Sequence, residues 1–168
     1  MKRFALLFGN TDGLEGVKKD IIHVDDYLRS DVGGAWETGE ICCRNNLSLS
    51  QVRTIIRRIK EMVCDFVFIY FSGHGGMTRS TNLCLNKEGD SISEDEFSGV
   101  AKRQLMVFDC CRVTPQVVTN SKKFVFDESI VSFERRRKKY RDRYEKLIMG
   151  ASPQEIRLYA CCPGKEAY

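Results

Sequence analysis

A mostly parallel α/β sheet with helices on both faces is expected from three features of this sequence. Phe66-Val67-Phe68-Ile69-Tyr70-Phe71 is six apolar residues in a row, β-branched or aromatic almost throughout, the pattern of a strand buried on both faces. Leu105-Met106-Val107-Phe108 repeats it on a smaller scale. Between such runs lie segments with apolar residues at helical spacing, and alternation of strand and helix is the signature of a parallel sheet covered on both sides.

From the N-terminus, Arg3 to Phe8 reads as a first strand. After the turn Asn10-Thr11-Asp12-Gly13, Val17, Ile21, Val24 and Leu28 recur at helical spacing up to about Arg29, with Asp12 or a neighbour as the cap. A short strand near Glu40 to Cys43 leads to Asn45-Asn46. Ser48 or Ser50 then opens a helix that points Val52, Ile55, Ile56, Ile59 and Val63 inward. Beyond the Phe66–Phe71 strand, residues 82–86, the turn Lys87-Glu88-Gly89 and residues 90–93 form a hairpin, and Ser93 caps a short acidic helix from Glu94. A polar stretch from Thr114 to about Ser132 leads into a charged helix that Pro153 stops, and Ile156 to Cys161 is the last strand.

At 168 residues the chain is expected to form one domain, 1–168, with a core of ordinary size. The net charge of +4 is local: residues 134–146 hold eight Lys or Arg and three acids, leaving the remainder near neutral. Met1-Lys2-Arg3 and the apolar residues after it are too short for a signal peptide, and no run approaches a membrane span. Six of the eight cysteines are adjacent pairs, Cys42-Cys43, Cys110-Cys111 and Cys161-Cys162, with no Cys-x-x-Cys spacing. Neighbours in a strand point to opposite faces, so such pairs neither bridge each other nor share a zinc ion. Reduced thiols and a cytoplasmic location are expected.

Two strands end in reactive groups. Phe66–Phe71 runs into Ser72-Gly73-His74-Gly75-Gly76, and Leu105–Phe108 into Asp109-Cys110-Cys111-Arg112. Open α/β sheets place ligands and chemistry at the C-terminal ends of their strands. His74 and one thiol of the Cys110-Cys111 pair can therefore meet if the strands are neighbours. A thiol with an imidazole in reach is the minimal nucleophile and base for acyl transfer. Taken singly, each has a plainer explanation as a loop histidine or a buried small apolar side chain.

Together the segments Tyr70-Phe71-Ser72-Gly73-His74-Gly75 and Val107-Phe108-Asp109-Cys110-Cys111-Arg112 resemble the histidine and cysteine motifs of caspase-like cysteine peptidases, the clan of caspases, metacaspases and their bacterial relatives. Leu7-Phe8-Gly9-Asn10, the Leu14–Asp20 run with its L-x-G-x-x-x-D pattern, and Tyr159 to Tyr168 are similar to further segments of that clan in the same order. The likeness omits only about 116–152. It implies a three-layer sandwich, His74 as catalytic histidine and Cys111, two residues after the aspartate of a D-x-C motif, as nucleophile. It also implies an oxyanion hole from the backbone N–H groups of Gly75 and Cys111.

The resemblance further implies a substrate pocket of Asp20, Ser72 and Asp109. Two carboxylates there favour a cationic side chain, hence cleavage of protein or peptide substrates after Arg or Lys. The stretch 115–152, with Arg135-Arg136-Arg137-Lys138-Lys139, corresponds to the linker that relatives cut on activation, which suggests a zymogen activated by self-cleavage. Competing readings of the basic run are a solvated helix face and a docking patch for an acidic partner, with little support for nucleic acid. Calcium as an activator, frequent among metacaspases, is left open: Asp90, Glu94, Asp95 and Glu96 are acidic but lack an ordered ligand spacing. The family domain normally continues past the last motif, so the expectation is a C-terminally incomplete sheet completed by a following fragment or a partner subunit. The alternative from another class is a catalytically silent module of the same fold that binds a partner.

Overall fold

The computed structural model describes residues 1–112 and 134–165; the polar stretch expected between Thr114 and Ser132 and the end of the last motif lie outside them. Five parallel strands form the main sheet in the order β2-β1-β3-β7-β8. They are β1 (Arg3–Gly9), β2 (Ile41–Asn45), β3 (Phe66–Ser72), β7 (Arg103–Asp109) and β8 (Gln154–Tyr159). Helix α1 (Glu15–Arg29) places Val17, Ile21 and Leu28 against Ala5, Leu7 and Tyr70 on one face. Helix α2 (Leu49–Met62) places Val52, Ile56 and Ile59 against Leu6, Phe8, Val67, Ile69 and Phe71 on the other. This is the three-layer α/β sandwich expected, and β3 at its centre supplies both cores from alternate residues, with Phe66 and Phe68 partly buried at its start.

Local chemistry sets the ends of the elements. Ser48 caps α2, accepting a hydrogen bond from the Gln51 N–H while the Gln51 side chain returns to the Ser48 N–H, a reciprocal box that satisfies two donors. Val63, expected to point inward, is instead the left-handed C-cap of α2 at φ 50° and is 77% exposed. The reversal of the chain there turns its side chain away from the helix face, so an extrapolated 3.6-residue period fails at that residue. Nor does Asp12 cap α1. The cap position is Leu14, without a side-chain bond, and Asp12 Oδ2 accepts the Lys87 N–H of the hairpin turn at 3.1 Å.

A small antiparallel sheet, β4 (Gly75–Met77), β5 (Thr81–Cys84) and β6 (Ser91–Ser93), stands at the C-terminal edge of the main sheet. The expected hairpin is its β5–β6 half, and Ser93 Oγ does cap the short helical turn Glu94–Phe97; the β4 strand was not expected. Helix α3 (Glu134–Gly150) carries the basic run. Its Arg141 is not a solvated charge: it pairs with Glu40 at 2.6 Å and Glu145 at 2.9 Å, and Glu40 also pairs with the buried Arg3. Lys138 and Lys139 are exposed.

A row of aromatic rings crosses the main sheet near its C-terminal edge. Phe8, Phe71, Phe108 and Tyr159 stand opposite one another on four adjacent strands. Neighbouring rings lie 5.0 Å (Phe8–Phe71) and 5.8 Å (Phe108–Tyr159) apart, and Phe97 bridges Phe8 and Phe108 at 5.6 and 6.5 Å. The row lies on the α2 face, so the next residue of each strand, Gly9, Ser72, Asp109 or Ala160, must turn to the α1 face. A packed aromatic floor thus fixes the last residues of the strands that carry the candidate chemistry.

Candidate active site

Strands β3 and β7 are paired in parallel with Ser72 opposite Asp109. His74 and Cys111 each lie two residues beyond that pair, so the sheet itself brings them to the same edge. The Gly73 N–H continues the ladder, donating to the Asp109 carbonyl at 3.1 Å. Gly73 has φ +152° and lies against the Asn10 backbone, a geometry that suits glycine. From there the chain enters the β4–β5 hairpin, which the Cys84 N–H ties to the His74 carbonyl at 2.9 Å. His74 and Cys111 are both half-buried.

The adjacent thiols differ in burial. Cys110 is 1% exposed and packs into the α2-side core. Burial, then the neighbouring Cys161 and Asp109, push its thiol far above the ordinary range, so it remains protonated and inert. Cys111, the next residue, is half-buried. Gly75 is held against this turn: a methyl group there would meet Cys110 Sγ at 2.6 Å and the Cys111 carbonyl oxygen at 2.8 Å. The turn at Cys110-Cys111 therefore leaves no room for a side chain at Gly75.

Beside them lies an acidic group. Ser72 Oγ donates to Asp20 Oδ2 at 3.0 Å, joining α1 to β3. Tyr70, two residues before Ser72 and on the same face, donates its hydroxyl to Asp109 Oδ2 at 3.3 Å. Burial and then the Asp20 charge raise the Asp109 carboxyl above the ordinary carboxylate range, against the hydrogen bond from Tyr70. Burial and the same two carboxylates push the Tyr70 hydroxyl well above its usual value, so it stays a donor. Among the described residues no Lys or Arg pairs with Asp20 or Asp109. The two carboxylates thus lie close enough for the Asp20 charge to disfavour ionisation of Asp109.

All three expected pocket residues, Asp20, Ser72 and Asp109, fall in this one cluster. Tyr70 was not expected, although its place two residues before Ser72 on a strand is the signal that could have found it. The acids weighed for calcium do not converge: among the described residues no three His, Cys, Asp or Glu are grouped as for a metal. Asp90 accepts from Leu49 and Asn86, Glu96 pairs with Arg53, and Asp95 with Arg157. A cleft of about 800 Å³ lies elsewhere, between Trp36 and the Arg137–Asp142 turn of α3, and no candidate catalytic group lines it.

The parallel α/β sandwich brings a histidine and a thiol to the ends of adjacent strands. The caspase-domain family model matches residues 2–168, and the chain belongs to that family. Forty-six solved chains match its fold. Among them is caspase-1 from Spodoptera frugiperda, with a TM-score of 0.59 and 12% identity over 99% of this chain. The present chain spans 62% of that one. No curated protein sequence matches it.

Proposed function

We propose that this caspase-family chain is a cysteine endopeptidase that cleaves proteins after Arg or Lys, with Cys111 as nucleophile and His74 as acid and base. In this reading His74 accepts the Cys111 proton, the sulfur attacks the scissile carbonyl, and the imidazolium protonates the leaving amine. The Gly75 and Cys111 N–H groups receive the developing oxyanion. The observation that carries the specificity is the Asp20–Ser72–Tyr70–Asp109 cluster, an acid pair without a cation among the described residues. A guanidinium entering it would replace carboxylate repulsion with charge-assisted hydrogen bonds.

The basic run at the start of α3 suits such an enzyme as a self-cleavage segment within 115–152. Arg141 anchors the body of the helix, and the basic run lies just N-terminal to that anchor. Among the described residues β8 pairs only with β7, and Ile156 and Leu158 on it are 42% and 50% exposed; a partner subunit or a C-terminal fragment would complete the sheet there. No described helix is long and apolar enough to cross a membrane, and the reduced thiols suit the cytoplasm. The test compares reporter peptides ending in Arg, Lys and Asp, with Cys111→Ala as control. Turnover of Arg and Lys peptides that vanishes in Cys111→Ala supports the proposal. Preference for Asp, or turnover that survives Cys111→Ala, overturns it.

A further inference from the structure

The two halves of the proposed dyad come from different units: Cys111 from the end of β7, His74 from the start of the β4–β5 hairpin. Strand pairing ends at Gly73 and Ala160, so beyond that point something else must hold the hairpin against the nucleophile turn. Arg112, the residue after Cys111, is 8% exposed although it carries a charge. Its Nε donates to Thr81 Oγ1 on β5 at 3.1 Å, and its guanidinium carbon lies 3.8 Å from the centre of the Tyr159 ring on β8. Both partners are themselves fixed by one buried carboxylate. Glu94, 3% exposed, accepts the Thr81 N–H at 2.9 Å and the Tyr159 hydroxyl at 2.5 Å. Burial and Glu94 push that hydroxyl up to about 12, so it remains the donor. The backbone of Arg112 is held as well: its N–H reaches the Lys165 carbonyl at 2.9 Å, and its carbonyl accepts from Gly164 at 2.7 Å.

We infer that Arg112 is a positioning residue, whose guanidinium locks the peptide that carries the Cys111 N–H onto the His74 hairpin and onto β8. A buried charge is costly unless it is paired and hydrogen-bonded, and among the described residues the Arg112 guanidinium is held by the Thr81 hydroxyl and the face of the Tyr159 ring. The arrangement is explained by what it joins: Arg112 reaches β5 and β8 from the nucleophile turn with one side chain, alongside the Cys161 thiol, which donates to the Cys110 carbonyl at 3.4 Å from the end of β8. This rests on the reading of Cys111 and His74 as the dyad. It adds that the oxyanion donor is set by a side chain one residue away that touches neither substrate nor the reacting atoms.

The test uses the full chain with Arg112→Gln, Arg112→Lys and Thr81→Val. Three readouts are compared: turnover of an Arg reporter peptide, inhibition by a peptidyl-arginine aldehyde, and alkylation of Cys111 by iodoacetamide. In the aldehyde adduct the sulfur bonds to the carbonyl carbon and the π pair moves to oxygen, so the oxyanion hole is loaded. Alkylation displaces iodide and loads no oxyanion. Arg112→Gln should lower kcat about a hundredfold with little change in KM, as a displacement near 1 Å does, and weaken the aldehyde about as much. Alkylation should stay within about threefold of the native rate. Arg112→Lys keeps the charge over Tyr159 but loses the planar fork, and should recover only part of the loss. Thr81→Val should lower kcat and aldehyde affinity in the same direction, and adding it to Arg112→Gln should cost little more.

Unchanged kcat and aldehyde affinity in Arg112→Gln overturn the inference, as does parallel loss of aldehyde binding, alkylation and cooperative melting, which marks a merely structural residue. If Arg112→Gln does not fold, Thr81→Val decides alone, and normal catalysis there overturns the inference. Native activity that survives Cys111→Ala removes the dyad reading and this inference with it. Activity that requires Cys111 but ignores Arg112 and Thr81 removes the inference only.

Discussion

Gly75→Ala is the sharpest test of how the two strand ends meet. The added methyl carbon would lie 2.6 Å from Cys110 Sγ, 2.8 Å from the Cys111 carbonyl oxygen and 2.9 Å from Cys110 Cβ, where ordinary contacts are 3.4–4 Å. The neighbours must withdraw by about 1 Å, and two of the three belong to buried backbone or its first side-chain carbon, which a close-packed core does not readily move. Overpacking of this kind costs about 1–3 kcal/mol of stability. The displacement separates Gly75, whose own N–H is proposed for the oxyanion hole, from the Cys110-Cys111 turn, and there about 1 Å is worth about a hundredfold in rate. The expected result is therefore a modest fall in melting temperature with a fall of about two orders of magnitude in kcat/KM on an Arg peptide. Cys110→Ala in the same background should relieve the sulfur contact but not the carbonyl contact, and so restore stability more than activity. A Gly75→Ala protein with native kcat/KM would refute the placement of this backbone in the oxyanion hole.

Asp109→Asn should weaken cleavage after Arg by roughly ten- to a hundredfold in kcat/KM, the value of one charge-assisted hydrogen bond. Because the folded protein holds this carboxyl above its unfolded value, the native state binds the extra proton. Its contribution to stability is therefore present at low pH and lost as pH rises through the folded titration. Asp109→Asn should accordingly unfold at higher temperature than the native protein at neutral pH, and lose the rise of Arg-peptide activity with pH on the acid limb; a variant less stable than native at pH 7 would contradict this. Iodoacetamide at pH 8, read by peptide mass mapping of the folded chain, should label Cys111 and spare Cys110, and Cys110→Ala should keep most of its activity; the opposite labelling would reverse the assignment of the two thiols. Arg141→Ala should cost about 1–3 kcal/mol in denaturant melts, since it strips partners from a half-buried carboxylate. Burial alone would raise Glu40, but hydrogen bonds from Arg141, from the Glu37 N–H and from Arg3 hold it below the ordinary range. The stability it contributes is present above its unfolded titration and lost as pH falls through the folded one, so native and Arg141→Ala melts should converge in acid.

The main sheet is legible in the order of the amino acids alone. Runs such as Phe66–Phe71 have only one stable destination, a strand covered on both faces, and alternation of strand and helix leaves few topologies. The order of the motifs is legible too, and with it the family and the short set of residues that the structure gathers at one edge. Folding settles what depends on register and on partners distant in the chain. Strand alternation by itself leaves Cys110 and Cys111 equivalent; packing against α2 assigns Cys110 to the core. Val63 keeps the helical period of α2, but a left-handed cap turns it to solvent. Asp12 finds the hairpin 75 residues away in place of its own helix. The buried tie from Arg112 through Thr81, Glu94 and Tyr159 has no sequence signal at all, because a hydrogen bond is short and directional and no periodicity encodes which distant group stands within about 3 Å of it. Burial patterns are written along the chain, whereas the pairing of polar groups is written only in the folded molecule.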